Sequence, residues 1–133
     1  MNVHLHVTPL YAAILALVFV VLSLRTIRLR RRLRIGLGHG DNELMLRAMR
    51  VHANFAEYVP FALLLLALAE IGGASATTLH ALGACLVVGR LAHALGVSPS
   101  KGIFPLRFAG ISLTFLVIVA TSVILLAGFF RAP

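Results

Sequence analysis

Acidic residues are scarce in this chain. Asp and Glu together number four among 133 residues, against twelve Lys and Arg, for a formal net charge of +8. Charged residues of both signs make up only 12%, and hydrophobic residues 60%. A water-soluble domain carries about 25% charged residues. This chain therefore lacks the polar surface to cover itself in water, and a lipid environment removes that need. Tryptophan is absent and aromatics are 8%, so there is no strong aromatic belt. The single cysteine, Cys85, excludes an intramolecular disulfide. Set among Leu82, Ala84 and Leu86, it reads as a small apolar packing residue. In a soluble protein the cation excess would suggest nucleic acid. Here the basic residues crowd the ends of apolar runs, which points to membrane orientation and away from nucleic acid.

What the chain has in abundance is long apolar runs. The first covers 7–24. It has no Lys or Arg before it, and Arg25, Arg28, Arg30, Arg31, Arg32 and Arg34 follow it. A cleaved signal peptide has the reverse pattern, so a retained transmembrane helix is expected. Gly36, Gly38, Gly40, Asp41 and Asn42 then spell a turn, with Asp41 or Asn42 available to cap the next helix. Further spans are expected over 44–69, 77–95 and 105–129. Gly72, Gly73 and Ser75 separate the second and third, Gly96 ends the third, and Pro105 suits the first turn of the fourth. Each span is near the ~20 residues that cross a hydrocarbon core. The reading is an all-α membrane protein of one domain, a four transmembrane helix bundle. Its first and third loops share one side. The first holds nearly all the arginines and the third Lys101, while the second has no Lys or Arg. The positive-inside rule places loops one and three in the cytoplasm and both termini across the membrane, with only Arg131 dissenting. Short loops and no sorting signal suit a bacterial inner membrane, with an organellar membrane as the alternative.

Ionisable residues inside a span mark function by default. At about 100° per residue, Arg47, Arg50, Asn54, Glu57 and Tyr58 share about a third of the second helix, and His52 falls off that arc. Arg90 and His93 lie one turn apart near the end of the third helix, and Arg107 sits in the first turn of the fourth. Basic helix ends thus converge around one carboxylate, Glu57. A missing anion is the natural inference, because arginine forks hold carboxylates and phosphates bidentately. A ligand with several carboxylates and one amine would fit. Other readings stand beside this one. Arg25, Arg32, Arg34 and Lys101 suit topology alone. Arg50, Asn54 and Glu57 could be a buried polar network between helices or subunits. His52 suits packing, Glu70 a membrane interface, and His4, His6 and His39 solvent. His80 and His93 belong to no ligand-spaced set, so no metal is expected.

Arg50, Asn54, Glu57 and Pro60 follow one another at intervals of four, three and three. With Arg90 ending the third helix and Arg107 opening the fourth, this pattern resembles that of the membrane-associated proteins in eicosanoid and glutathione metabolism. That family includes microsomal glutathione transferases, leukotriene-forming synthases and a prostaglandin E synthase. The resemblance covers nearly the whole chain. It implies a homotrimer with glutathione held between neighbouring subunits near the cytoplasmic side. Arg50, Asn54, Glu57 and Tyr58, with Arg47 a turn before them, would bind glutathione from the second helix. Arg30 would reach it from a neighbour's first helix, and Arg90 and His93 from the third. Arg107 matches the arginine that activates the thiol. Relatives often carry tyrosines at the end of the third helix, where this chain has His93 and Val97.

Glutathione carries two carboxylates, one ammonium and one thiol. Its reactive form is the thiolate. Arg107, at a helix N-terminus, adds its charge to the helix dipole, and both favour that form. The second substrate would be a hydrophobic electrophile or lipid hydroperoxide arriving from the bilayer, undergoing conjugation or reduction. Two other classes remain open. One is a non-catalytic member of the same fold that binds lipid or a partner. The other is a small multidrug-type transporter, although such proteins bind cations and this site is cationic.

Overall fold

The computed structural model of the protein describes residues 5–99 and 101–131; His4, read above as solvated, and Ser100 lie outside them. The described residues form four helices, α1 (Thr8–Leu33), α2 (Glu43–Ile71), α3 (Ala76–Val97) and α4 (Phe104–Arg131). Each is long and apolar enough to cross a membrane. The all-α, four-span architecture read from the sequence is the one observed.

Local chemistry sets the helix ends. Asn42, not Asp41, caps α2: its Oδ1 accepts from Met45 N–H at 3.0 Å. Ser75 caps α3 by accepting from Thr78 N–H at 3.2 Å. Asp41 instead takes a positive φ of 53° in the turn, a conformation that Asp tolerates. The ends of α1 and α3 bear on the site. α1 does not stop where its apolar run stops at Leu24 but continues through the arginines to Leu33. Arginine is a good helix former, and nothing breaks the helix until Arg34 turns left-handed at φ 57° and donates back to the carbonyls of Arg30 and Arg31. Hydropathy marks where lipid ends, not where the helix does. α3 runs through Gly96 to Val97, so that glycine is not a stop signal and has another task.

α2 is the central helix. Its stripe of Met45, Ala48, Val51, Phe55, Val59, Ala62, Leu66 and Ala69 is buried, at the three-and-four spacing of one helix face. It packs on all three other helices, whereas α1 and α4 do not meet. Glu70, at the end of α2, has a structural task that the sequence did not reveal. Its carboxylate accepts from the backbone N–H groups of His6, Val7 and Thr8 at 2.5, 2.7 and 2.8 Å. It thereby satisfies the unpaired donors at the start of α1 from the far end of α2. Tyr11 ties α1 to α3 by donating to the His80 carbonyl at 3.0 Å. His52 stacks on Phe19 with ring centroids 4.7 Å apart and meets Ser23 Oγ at 3.0 Å, the packing role expected of it.

Candidate functional site

α3 and α4 approach so closely that side chains are excluded between them. A Cβ on Gly110 would sit 2.6 Å from the Gly89 carbonyl oxygen, and one on Gly96 2.8 Å from Arg107 Cα. Ile103 N–H also donates to the Gly96 carbonyl at 2.7 Å, stapling the start of α4 to the end of α3. This contact is the task of Gly96. It carries Arg107 to the place where α3 ends and α2 begins.

A cleft of 220 Å³ opens there, lined by Arg47, Arg50 and Asn54 with Glu43 and Leu46 from α2, His93 and Val97 from α3, and Arg107 from α4. Arg50 and Arg107 are exposed, Arg47 and Asn54 half-buried. Glu43, missed in the sequence reading, pairs with Arg47 across one turn at 3.5 Å; the i,i+4 spacing could have shown it. Arg47 also donates to the Val97 carbonyl at 3.5 Å. Among the described residues, Arg50 and Arg107 have no carboxylate partner. The cleft is a concave cation cluster with one acid that is already engaged.

Arg90 was expected to line this space and does not. It lies behind the cleft, 0% exposed. Its Nη2 donates to Asn54 Oδ1 at 2.8 Å and meets His93 Nδ1 at 3.3 Å, and its Nη1 donates to Thr114 Oγ1 at 3.4 Å. Its Cζ lies 5.6 Å from the centroid of the Phe55 ring, within cation–π range. No carboxylate pairs with it among the described residues, and its Nε has no hydrogen-bond partner. Because a guanidinium can only donate, His93 Nδ1 must accept. The ring proton then sits on Nε2, leaving His93 one N–H donor to offer. Arg90 thus fixes the orientation of two cleft residues, Asn54 and His93.

Three other expected residues lie apart from the cleft within one chain. Tyr58 packs edge-on against Phe115, 5.5 Å between ring centroids. Glu57 is exposed on the outer face of α2 and does not join the arginines. Within one chain Glu43, not Glu57, is the acid that lines the cleft with Arg47, Arg50 and Arg107. Arg30 points into the first loop, donating to the Gly38 carbonyl at 2.9 Å and reaching Met49 Sδ at 3.4 Å.

A four-span helical bundle with an electropositive cleft at its arginine-rich end defines a class of multi-pass membrane protein. The chain belongs to the MAPEG family, whose model matches residues 8–127. Among its relatives are the proteins named inner membrane protein YecN in Escherichia coli strain K12 and in Escherichia coli O6:H1 strain CFT073. Each is 35% identical over 108 residues, which make up 81% of this chain and 81% of the relative. Their name states a membrane and no reaction.

Proposed function

We propose that this protein is a membrane-bound glutathione transferase, set in a bacterial inner membrane with its arginine-rich end in the cytoplasm. The cleft carries the reading. Arg47, Arg50 and Arg107, the amide of Asn54 and a donor on His93 surround a space whose one lining acid is already paired. Two carboxylates are what such a space lacks, and glutathione brings two. With the peptide so held, the thiol sits toward Arg107, whose charge and helix N-terminus stabilise the thiolate. The thiolate sulfur forms a bond to an electrophilic carbon of a substrate arriving from lipid. The bond from that carbon to its leaving group breaks, and the electron pair departs with that group. Attack on the O–O bond of a lipid hydroperoxide is the corresponding reduction, with a second glutathione resolving the product.

Arg50 and Glu57 share an exposed stripe of α2 with Phe61, Leu64 and Leu68. A carboxylate facing hydrocarbon is strongly unfavourable. Assembly into a homotrimer covers it, sets Glu57 to receive the glutathione ammonium, and gives Arg30 of the partner subunit a route to the ligand. The YecN name, which places a relative in the inner membrane, supports the membrane, and the cation bias of the first and third loops supports the orientation. A second reading, a non-catalytic member that binds a ligand without turnover, draws on apolar Val97 in the cleft, where relatives often have a phenol.

The test is an ultraviolet difference spectrum on adding glutathione to the purified protein, with parallel calorimetry. The wild type should show a saturable thiolate band. Arg107→Ala should abolish the band, retain most of the binding heat and lower turnover of a hydrophobic electrophile about 100-fold. Binding without a band in the wild type favours the second reading. Neither band nor heat removes glutathione altogether.

A further inference from the structure

The last turns of α1 hold a feature that the proposed chemistry does not use. At 26 residues, α1 is about 39 Å long at 1.5 Å per residue, against a hydrocarbon core of about 30 Å. Its C-terminal part therefore stands at headgroup depth. There Arg25, Arg28 and Arg32 follow at intervals of three and four, with Leu29 between them, on one face of the helix. Together with Leu44 from the start of α2 they line a groove of 330 Å³ with a cationic rim and an apolar floor. None of the three arginines has a carboxylate partner among the described residues. Arg25 is held in place, donating to Ser98 Oγ at the end of α3 at 2.5 Å, while Ser98 donates onward to the Ala94 carbonyl. Toward the membrane centre, the same face of α1 continues as Ile14, Leu17 and Val21, all exposed.

We infer that this groove binds the headgroup of an anionic phospholipid, whose acyl chains run along Ile14, Leu17 and Val21. Arginine forks match phosphate oxygens bidentately. Basic clusters immediately outside a span select anionic lipid. A zwitterionic headgroup would bring its own ammonium toward three cations, and the groove discriminates against it for that reason. On the opposite face of α1, Arg30, Arg31 and Arg34 line a separate groove with Ile35 and Gly36 of the first loop, where Arg30 donates to the Gly38 carbonyl. The site is independent of the glutathione reading, since Arg28 and Arg32 lie outside the cleft.

The experiment is native mass spectrometry of the full chain released from nanodiscs of equal parts phosphatidylglycerol and phosphatidylcholine. The wild type should retain the anionic lipid over the zwitterionic one by about fivefold. Arg28→Gln with Arg32→Gln should bring that ratio near one. Both side chains are exposed and glutamine is also a good helix former, so circular dichroism should stay unchanged. Arg31→Gln with Arg34→Gln removes the same charge from the other side of α1 and should leave the ratio intact. Glycerol phosphate, the headgroup chemistry without acyl chains, should not displace the lipid at millimolar concentration. An even ratio in the wild type overturns the proposal. So does equal loss in both double variants, which would mean diffuse charge rather than a groove. Displacement by glycerol phosphate would reassign the site to a free anion.

Discussion

Arg90 shows at the scale of one residue how far a sequence pattern reaches. Its spacing from His93 is legible, and so is its place near the end of an apolar run. Which of the two faces the cleft is not legible, because it depends on how closely the Gly110 backbone presses against His93. The guanidinium that resulted is fully buried with no carboxylate partner among the described residues. Buried charge is a poor source of stability, so its value lies in aiming Asn54 and His93. Arg90→Met removes the desolvation penalty together with the hydrogen bonds. A thermal melt in detergent should shift by no more than a few degrees. Glutathione affinity, measured by calorimetry, should fall about tenfold, as expected for losing a charged hydrogen bond. Unchanged affinity would remove the orienting role.

Among the elements, the α3–α4 pair depends most on the absence of side chains. Gly110 lies against the backbone of His93 and the carbonyl of Gly89, and neither neighbour is the flexible end of a side chain. Gly110→Ala must therefore push the helices apart. The expected loss is about 1–3 kcal/mol, the range for overpacking, read as a lower melting temperature. The thiolate band should be lost with it, since Arg107 is carried by the same contact. A variant with wild-type melting and an intact band would contradict this. Helix existence and order were legible from apolar runs and caps, because those signals are local. The role of Gly96 was not: a glycine near a helix end reads as a terminator, and only the partner helix reveals it as a contact. Glu70 was hidden for a similar reason, since the groups it caps are 62–64 residues away.

The whole molecule is an open arrangement. α1 and α4 flank α2 and α3 without touching, and α2 leaves Arg50 and Glu57 exposed on the stripe that continues as Phe61, Leu64 and Leu68. The number and length of spans were legible because lipid imposes them through composition alone. The exposure of Glu57 was not, because it depends on which face of α2 the other helices leave uncovered. Light scattering in nanodiscs should give the mass of three chains, and Glu57→Leu should leave that assembly intact while weakening glutathione binding. A monomer that still binds the peptide at full affinity would overturn the trimeric site.

The Glu70 cap also has a consequence for synthesis. α1 leaves the ribosome long before the carboxylate that satisfies its first turn. Until Glu70 follows, the N–H groups of His6, Val7 and Thr8 lack that partner, so the first helix is finished only when the second has crossed. The first turn of α1 is therefore completed by α2 and not by its own neighbours in sequence, and Arg107, on the last helix, is added after both in chain order.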